Sequence, residues 1–156
     1  MAGKELFKFV MTDEEYAKVH DQDVEVVAAA RGCYVHDSEE DTLQLDIDSE
    51  EDRDFALMQI ERLRAHGEVA VEEVQVLPSQ NGNWHIIVYM GGPLEVPERI
   101  ALQAAMGSDR VREMLNLIRF YKGVPNPVRL FRPLGTPVPA PTPPPRMVLN
   151  EDDLPF

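Results

Sequence analysis

Residues 69–90, VAVEEVQVLPSQNGNWHIIVYM, decide the fold of this chain. The first part, Val69 to Leu77, alternates apolar and polar side chains in the manner of a half-buried strand. Residues 79–83, Ser-Gln-Asn-Gly-Asn, form a strong turn signal, because the Asn-Gly pair favours a tight hairpin. Trp84 to Met90 then reads as the returning strand. The stretch therefore predicts a β-hairpin.

Strands and helices are also predicted before this hairpin. In one strand Leu43, Leu45 and Ile47 alternate with polar residues, which places a single apolar face on a core. Ser49 is a good N-cap for a helix that ends near Gly67. The predicted order is a strand in residues 6–11, a helix from Thr12, a helix at 24–31, strands at 33–36 and 42–48 around an acidic turn, and the helix from Ser49.

Two helices and a final strand are predicted after the hairpin. Pro97 suits the first turn of one helix, and Gly107 suits its end. Ser108 is expected to cap the next helix, and residues 128–131 read as the last strand. That helix has apolar residues at positions i, i+3, i+4, i+7 and i+10, which are Val111, Met114, Leu115, Ile118 and Tyr121.

This order of elements predicts an α+β fold, with helices packed on an antiparallel sheet. Three or more helices are too many for a five-stranded oligonucleotide-binding barrel. Residues 1–135 form the predicted core. Six prolines follow in residues 136–149, which predicts an extended, flexible linker with a reach of about 3.1 Å per residue. Residues 150–156 form an acidic tip.

Composition narrows the class of protein. No run approaches the roughly 18 apolar residues of a membrane span, and the first residues lack the apolar stretch of a signal peptide. Cys33 is the only cysteine among the 156 residues, so an intrachain disulfide or a cysteine-based zinc site is excluded. These features predict a cytoplasmic protein with no membrane partner.

Charge is distributed unevenly along the chain, whose net charge is −13. Residues 1–98 carry seven Lys/Arg and 23 Asp/Glu, whereas residues 99–135 carry seven Lys/Arg and two Asp/Glu. The uneven distribution of charge along the chain is more informative about binding partners than the net charge of the whole chain. The basic residues of the second segment are Arg99, Arg110, Arg112, Arg119, Lys122, Arg129 and Arg132.

A cationic segment interleaved with aromatics suits single-stranded DNA. Binding without sequence preference needs a track of cations along the phosphates and aromatic faces that stack the bases. Phe120 lies off the apolar stripe of its helix and is expected to be exposed, whereas Tyr121 lies on the stripe. Either face of the returning strand could be the buried one. The candidate stacking residues are Trp84, Tyr89, Phe120, Tyr121 and Phe131.

The chain ends with carboxylates, an aliphatic residue, a proline and a terminal aromatic: Glu151, Asp152, Asp153, Leu154, Pro155 and Phe156. A partner can bury the last ring in an apolar pocket while its basic residues receive the carboxylates.

This tip resembles the acidic C-terminal tip of bacterial single-stranded-DNA-binding proteins. The resemblance implies protection of single-stranded DNA and recruitment of host replication, recombination and repair proteins, with no enzymatic activity and no cofactor. It covers about the last twenty residues and not the core, so the family's tetramer and DNA contacts do not transfer, and a homo-oligomer stays an open alternative. A phage or mobile-element protein that carries this tip on a different core would account both for the family's tip and for the absence of the family's barrel.

Two alternatives remain. Asp46 and Asp48 point to the same face of a predicted strand, where two carboxylates can hold Mg²⁺ for nucleotidyl transfer. With His85 after the hairpin turn, they resemble the motifs of archaeo-eukaryotic-type primases. A clear third carboxylate on a later strand is missing, which favours an inactive relative of that fold over an active enzyme. The second alternative treats the acidic region 1–98 as a DNA mimic that inhibits a host DNA-binding protein.

Overall fold

The structure is a computed structural model, and it describes residues 24–67 and 69–136. Within these ranges the chain has an α+β fold, as predicted, with four α-helices and two antiparallel sheets. In chain order the elements are α1 (Val24–Ala30), β1 (Cys33–Asp37), β2 (Thr42–Ile47), α2 (Glu50–Ala65), β3 (Val71–Pro78), β4 (Trp84–Met90), α3 (Val96–Ala105), α4 (Arg110–Tyr121) and β5 (Arg129–Pro133).

The predicted hairpin forms the main sheet, whose strand order is β2-β4-β3. β4 is central and pairs antiparallel on both sides, with Ile86 opposite Leu45 on β2 and opposite Val76 on β3. Asn81 and Gly82 adopt positive φ values of 57° and 78°, a conformation that asparagine and glycine tolerate best. The Asn-Gly signal therefore marks the turn correctly.

A second sheet consists of β1 and β5 alone, paired antiparallel with Cys33 opposite Pro133 and Asp37 opposite Arg129. Strands β1 and β2 flank the acidic turn but lie in different sheets. The architecture therefore has two sheets where one was predicted, and it is not a closed barrel. Pairing between β1 and β5 connects residues about 100 positions apart, which no local pattern encodes.

The larger core cluster lies between the main sheet and α2. Leu43, Leu45 and Ile47 are at most 1% exposed, so the predicted apolar face of β2 is confirmed. They pack in one cluster with Ala56 and Ile60 of α2. Burial of each large aliphatic side chain contributes about 1.5–3 kcal/mol. α2 begins as predicted, because the Ser49 side chain accepts a hydrogen bond from the Asp52 backbone N–H.

Helix α4 differs from its predicted packing. Asp109, not Ser108, caps its N-terminus by accepting a hydrogen bond from the Arg112 backbone N–H. Val111 and Met114, predicted to face the core, are 69% and 44% exposed. Its buried residues are Glu113, Asn116 and Ile118. The first half of the helix thus buries polar groups, because α4 packs against α3 and its buried Glu113 accepts hydrogen bonds from Gln103 of that helix and from Ser108.

Some predictions fall on residues that the structure does not describe: the strand at 6–11, the helix from Thr12, residues 137–149 of the linker and the tip at 150–156. Across residues 24–67 and 69–136, no helix combines the length and apolar content needed to cross a membrane.

Candidate functional site

A cavity of about 810 Å³ lies where the two sheets meet α1 and α4; we call it the arginine cavity. Gln80 closes one side by donating a hydrogen bond from Nε2 to the Arg31 carbonyl at 3.2 Å, which ties the hairpin turn to the end of α1. The lining includes Val24, Val27, Arg31, Cys33, Asp46, residues 79–81, Asn83, His85, Arg112, Arg119, Val124, Pro125, Arg129, Leu130 and Phe131.

Four arginines line this cavity: Arg31, Arg112, Arg119 and Arg129. The Arg31 guanidinium lies 5.8 Å from the ring centroid of Phe131, which is within the range of a cation–π contact. Clustering of four cations is unusual in a chain with a net charge of −13, and the cavity is therefore the natural place for an anionic ligand.

The free edge of β2 holds Arg112 in place. The Gln44 carbonyl accepts a hydrogen bond from the Arg112 guanidinium at 2.6 Å, and the Gln44 N–H donates to the Gln103 side chain at 2.9 Å. Two residues further along β2, the Asp46 N–H donates a hydrogen bond to the Ser108 hydroxyl at 3.0 Å. Side chains of the α3–α4 region therefore satisfy an edge that would otherwise be open to another strand.

A buried carboxylate supports this arrangement. Glu113 is 3% exposed and accepts hydrogen bonds from Arg112, from the Gln103 amide at 2.8 Å and from the Ser108 hydroxyl at 3.0 Å. A second guanidinium nitrogen of Arg112 donates to the Arg129 carbonyl at 3.0 Å. Arg112 thus connects α4 to one strand of each sheet, and its partners hold the guanidinium rigidly at the cavity wall.

Asp46, His85 and Arg132 form a line across the floor of the site. His85 Nε2 lies 3.5 Å from Asp46 Oδ1, and the Arg132 guanidinium lies 3.0 Å from His85 Nδ1. Arginine can only donate, so Nδ1 is the acceptor and the imidazole proton is assigned to Nε2, facing Asp46. Arg132 also donates to the Pro78 carbonyl at 3.0 Å.

Two pKa values near this line are perturbed. Burial raises the pKa of the Asp46 carboxyl, but the hydrogen bond from His85 and the electrostatic effects of His85 and of the Arg112 charge outweigh it, so the net shift is downward. Burial lowers the pKa of His36, whose Nδ1 accepts a hydrogen bond from the Gln44 amide at 2.8 Å. Asp46 is therefore ionised and His36 neutral near pH 7.

A second cavity of about 500 Å³ lies between the end of β2, α2 and the connection from α3 to α4; we call it the aspartate cavity, after Asp46, Asp48, Asp52 and Asp109 in its lining. Burial, a hydrogen bond with Asp109 and the surrounding negative charges raise the pKa of Asp48 to about 6. Asp48 thus interacts with Asp109 across this cavity, while Asp46 also reaches His85. Within residues 24–67 and 69–136, no group of three His, Cys, Asp or Glu could hold a metal ion.

The seven basic residues predicted as one DNA track are dispersed. Arg112, Arg119 and Arg129 line the arginine cavity. Arg132 is 0% exposed, and Arg99 is 7% exposed and donates to Ser38 and to the Glu39 carbonyl. Arg110 is exposed beside the aspartate cavity, and Lys122 is the C-cap of α4. The prediction of one continuous track fails for Arg99 and Arg132, because both side chains are buried and their guanidinium groups donate to other parts of the core domain.

The candidate stacking residues are dispersed as well. Phe131 lines the arginine cavity. Tyr89 is 2% exposed, and its hydroxyl donates to the Gln75 side chain at 3.1 Å, so its ring is a core residue. Trp84 is half-buried, and the Arg53 guanidinium covers its ring at 4.5 Å. Phe120 and Tyr121 pack edge to face at 5.5 Å, and both are half-buried.

Sequence reasoning missed several residues of this cavity. Arg31 lies in the acidic part of the chain, and the residues around it do not distinguish it from any other arginine at the end of a helix. The sequence pattern around Gln80, Asn81 and Asn83 predicts only a turn. Their position facing the arginines depends on how α1 docks against the hairpin, which is a tertiary contact.

No model of a known protein family matches the chain, and no curated protein or solved structure is similar to it. The resemblances of the tip to single-stranded-DNA-binding proteins and of Asp46, Asp48 and His85 to primases therefore stay predictions.

Proposed function

We propose that this chain binds single-stranded DNA without sequence preference, and that the arginine cavity is its strand-binding site. The observation that carries the proposal is the collection of Arg31, Arg112, Arg119 and Arg129 around one cavity in an otherwise acidic protein. Guanidinium groups form paired hydrogen bonds with phosphate oxygens, which suits a nucleic-acid backbone better than ammonium groups do.

Phe131 supplies an aromatic face for a base beside these cations. It lines the cavity with Arg129 two residues earlier on the same face of β5. Stacking of a base on an aromatic side chain is sequence-tolerant, because every base has a π face. The Phe131 ring and the arginines together offer both of the contacts that a single strand requires.

The tip at 150–156 acts in this proposal as a hook for replication, recombination and repair proteins, in the cytoplasm of a host cell. Its terminal ring and carboxylates suit an apolar pocket with a basic rim. The linker before it is proline-rich and gives the hook reach. The core holds the strand, and the tip determines which proteins arrive there.

Titration of a fluorescent oligo-dT at two salt concentrations tests the strand-binding site. Arg119→Ala should weaken binding and lower the salt dependence by the equivalent of about one phosphate contact. Arg110→Ala is the matched control, because the same charge is removed from α4 at a position that does not line the arginine cavity. It should leave the affinity close to that of wild type.

Equal losses in the two variants would point to a diffuse surface track in place of the cavity. Absence of binding, or binding that salt leaves unchanged, would contradict the proposal altogether.

Nucleotidyl transfer is a second candidate, favoured by the contact between Asp46 and His85 within the same arginine-lined cavity. It predicts Mg²⁺-dependent incorporation of nucleotides into an oligonucleotide, which Asp46→Ala would abolish. The interaction of Asp48 with Asp109 weakens this candidate, since it engages one of the two predicted carboxylates elsewhere. DNA binding that needs no Mg²⁺, without incorporation, would favour the first proposal.

A further inference from the structure

Asp46 is an acidic residue in a cavity whose other charged residues are basic. Among the described residues that line the arginine cavity it is the single acid, in a lining that also contains four arginines. A cavity that bound phosphate by charge alone would gain nothing from a carboxylate, because the negative charge of the carboxylate repels the negatively charged phosphate. A carboxylate in this position suits a ligand that can donate a hydrogen bond to it.

The backbone of Asp46 is held from both sides. Its N–H donates to the Ser108 hydroxyl at 3.0 Å, and its carbonyl accepts from the Asp109 N–H at 2.9 Å. On the opposite strand His85 is its register partner in β4. The carboxylate therefore has a fixed position at the floor of the cavity, where its side chain is about one-third exposed.

Arg132 determines what His85 presents to this carboxylate. The guanidinium donates to Nδ1 at 3.0 Å, which leaves the proton of a neutral imidazole on Nε2, 3.5 Å from Asp46 Oδ1. A carboxylate has about four acceptor positions, and this contact occupies one of them. Asp46 is thus a fixed acceptor in a cavity that four arginines also line.

We propose that Asp46, positioned by His85 and Arg132, selects ligands that carry a hydrogen-bond donor beside their phosphate. This inference rests on the proposed function and refines it. A polyanion without donors meets the repulsion of Asp46, whereas a nucleotide offsets it with a hydrogen bond. The occupant of the floor of the cavity is therefore a base edge.

This role is compatible with binding of any sequence. In a single strand the pairing edges of the bases are exposed, and each base has at least one N–H there. Asp46 would accept from whichever base enters. It discriminates between nucleic acid and other polyanions, and it does not discriminate among bases.

The test compares oligo-dT with the same oligonucleotide methylated at N3 of every thymine, which removes the donor and leaves the ring and the phosphates. Wild type should bind the unmethylated strand about tenfold more tightly, the loss expected for one hydrogen bond to a charged group. Asp46→Ala should bring this ratio close to one. Asp48→Ala, which removes the same charge from a residue that lines the aspartate cavity and not the arginine cavity, should keep the wild-type ratio.

An unchanged ratio in Asp46→Ala, or an equal fall in Asp48→Ala, overturns the inference while the proposed function stands. Wild type that binds neither strand overturns both. Nitrogen-15 NMR of wild type gives a readout that needs no ligand: the imidazole proton of His85 should be found on Nε2, and a proton on Nδ1 would contradict the positioning by Arg132.

Discussion

Arg132 donates a hydrogen bond to Nδ1 of His85 at 3.0 Å, and this contact joins the two sheets of the molecule. Arg132 lies on β5 of the two-stranded sheet, and His85 lies on the central strand of the main sheet. The same guanidinium nitrogen also donates to the carbonyl of Pro78 at the end of β3. One fully buried side chain thus couples the sheets directly beneath the arginine cavity.

Arg132→Lys should lower the free energy of unfolding by about 1–3 kcal/mol. Lysine keeps the charge but cannot reproduce the geometry of the guanidinium, so either the buried His85 Nδ1 or the Pro78 carbonyl loses its donor. Urea denaturation measures the effect. Arg129→Lys, the same change at a half-buried position of β5, should stay within about 0.5 kcal/mol of wild type. Similar losses in both variants would mean that the sheet junction has no special dependence on Arg132.

Glu113→Ala should destabilise the protein by about 3 kcal/mol. The substitution leaves the Arg112 guanidinium, which is mostly buried, without its carboxylate partner. Thermal and urea unfolding check the loss, and Glu98→Ala on the exposed face of α3 is the control. A loss below about 0.5 kcal/mol, the range of ordinary surface substitutions, would show that Arg112 is adequately held by the Gln44 and Arg129 carbonyls alone.

Asp48→Asn should stabilise the protein at pH 7.5 and lose this advantage as the pH falls toward 4. The folded pKa of Asp48, about 6, lies above the ordinary value of 3.8, so the folded state binds more protons between these values. Stability of the wild type therefore decreases as the pH rises through that window. Denaturation midpoints of both proteins at pH 4.5 and 7.5 measure the difference. An identical difference in stability between wild type and Asp48→Asn at the two pH values would contradict this prediction. Asp37→Asn serves as the control, and its effect should not show this pH dependence.

Phe131→Leu should weaken oligo-dT binding by about 1–3 kcal/mol through loss of one stacked base. Leucine keeps an apolar side chain on β5, which separates stacking from packing. Phe120→Leu makes the same change outside the cavity and should leave the affinity unchanged. Fluorescence titration distinguishes them, and the opposite ranking would relocate the strand to the C-terminal end of α4.

Removal of residues 136–156 should keep or raise the affinity for single-stranded DNA. In the proposed function the acidic tip would compete with phosphates for the same cations, so a chain ending at Gly135 would lose a competitor. The matched change in the full chain is Asp152→Asn with Asp153→Asn, which should act in the same direction. Loss of DNA binding in the shortened chain would contradict the proposal that the core binds DNA and the tip binds partner proteins.

The hairpin shows how much of the fold local sequence predicts. Alternation over Val69 to Leu77, the Asn-Gly turn and the strand after Trp84 gave the correct elements, because each signal depends on neighbours a few residues apart. The cap at Ser49 and the apolar face of β2 are confirmed for the same reason. The pairing of β1 with β5 has no such signal.

Helix α4 shows where periodicity misleads. Its apolar stripe predicted burial of Val111 and Met114, yet the buried residues are Glu113 and Asn116. A hydrophobic pattern describes a helix that packs on an apolar surface. The neighbour of α4 is α3, whose Gln103 amide donates to Glu113, and the buried hydrogen bonds of this helix pair determine which face turns inward.

The sequence by itself determined the α+β class, the hairpin, most element boundaries and the concentration of positive charge in residues 99–135. These properties follow from spacing and composition. Only the tertiary structure decided that Arg132 and Arg99 are interior, that Arg31 joins Arg112, Arg119 and Arg129, and that Asp46 meets His85. Burial and convergence depend on which distant segments pack together, and an arginine looks the same in sequence whether its donors meet solvent or a buried carbonyl.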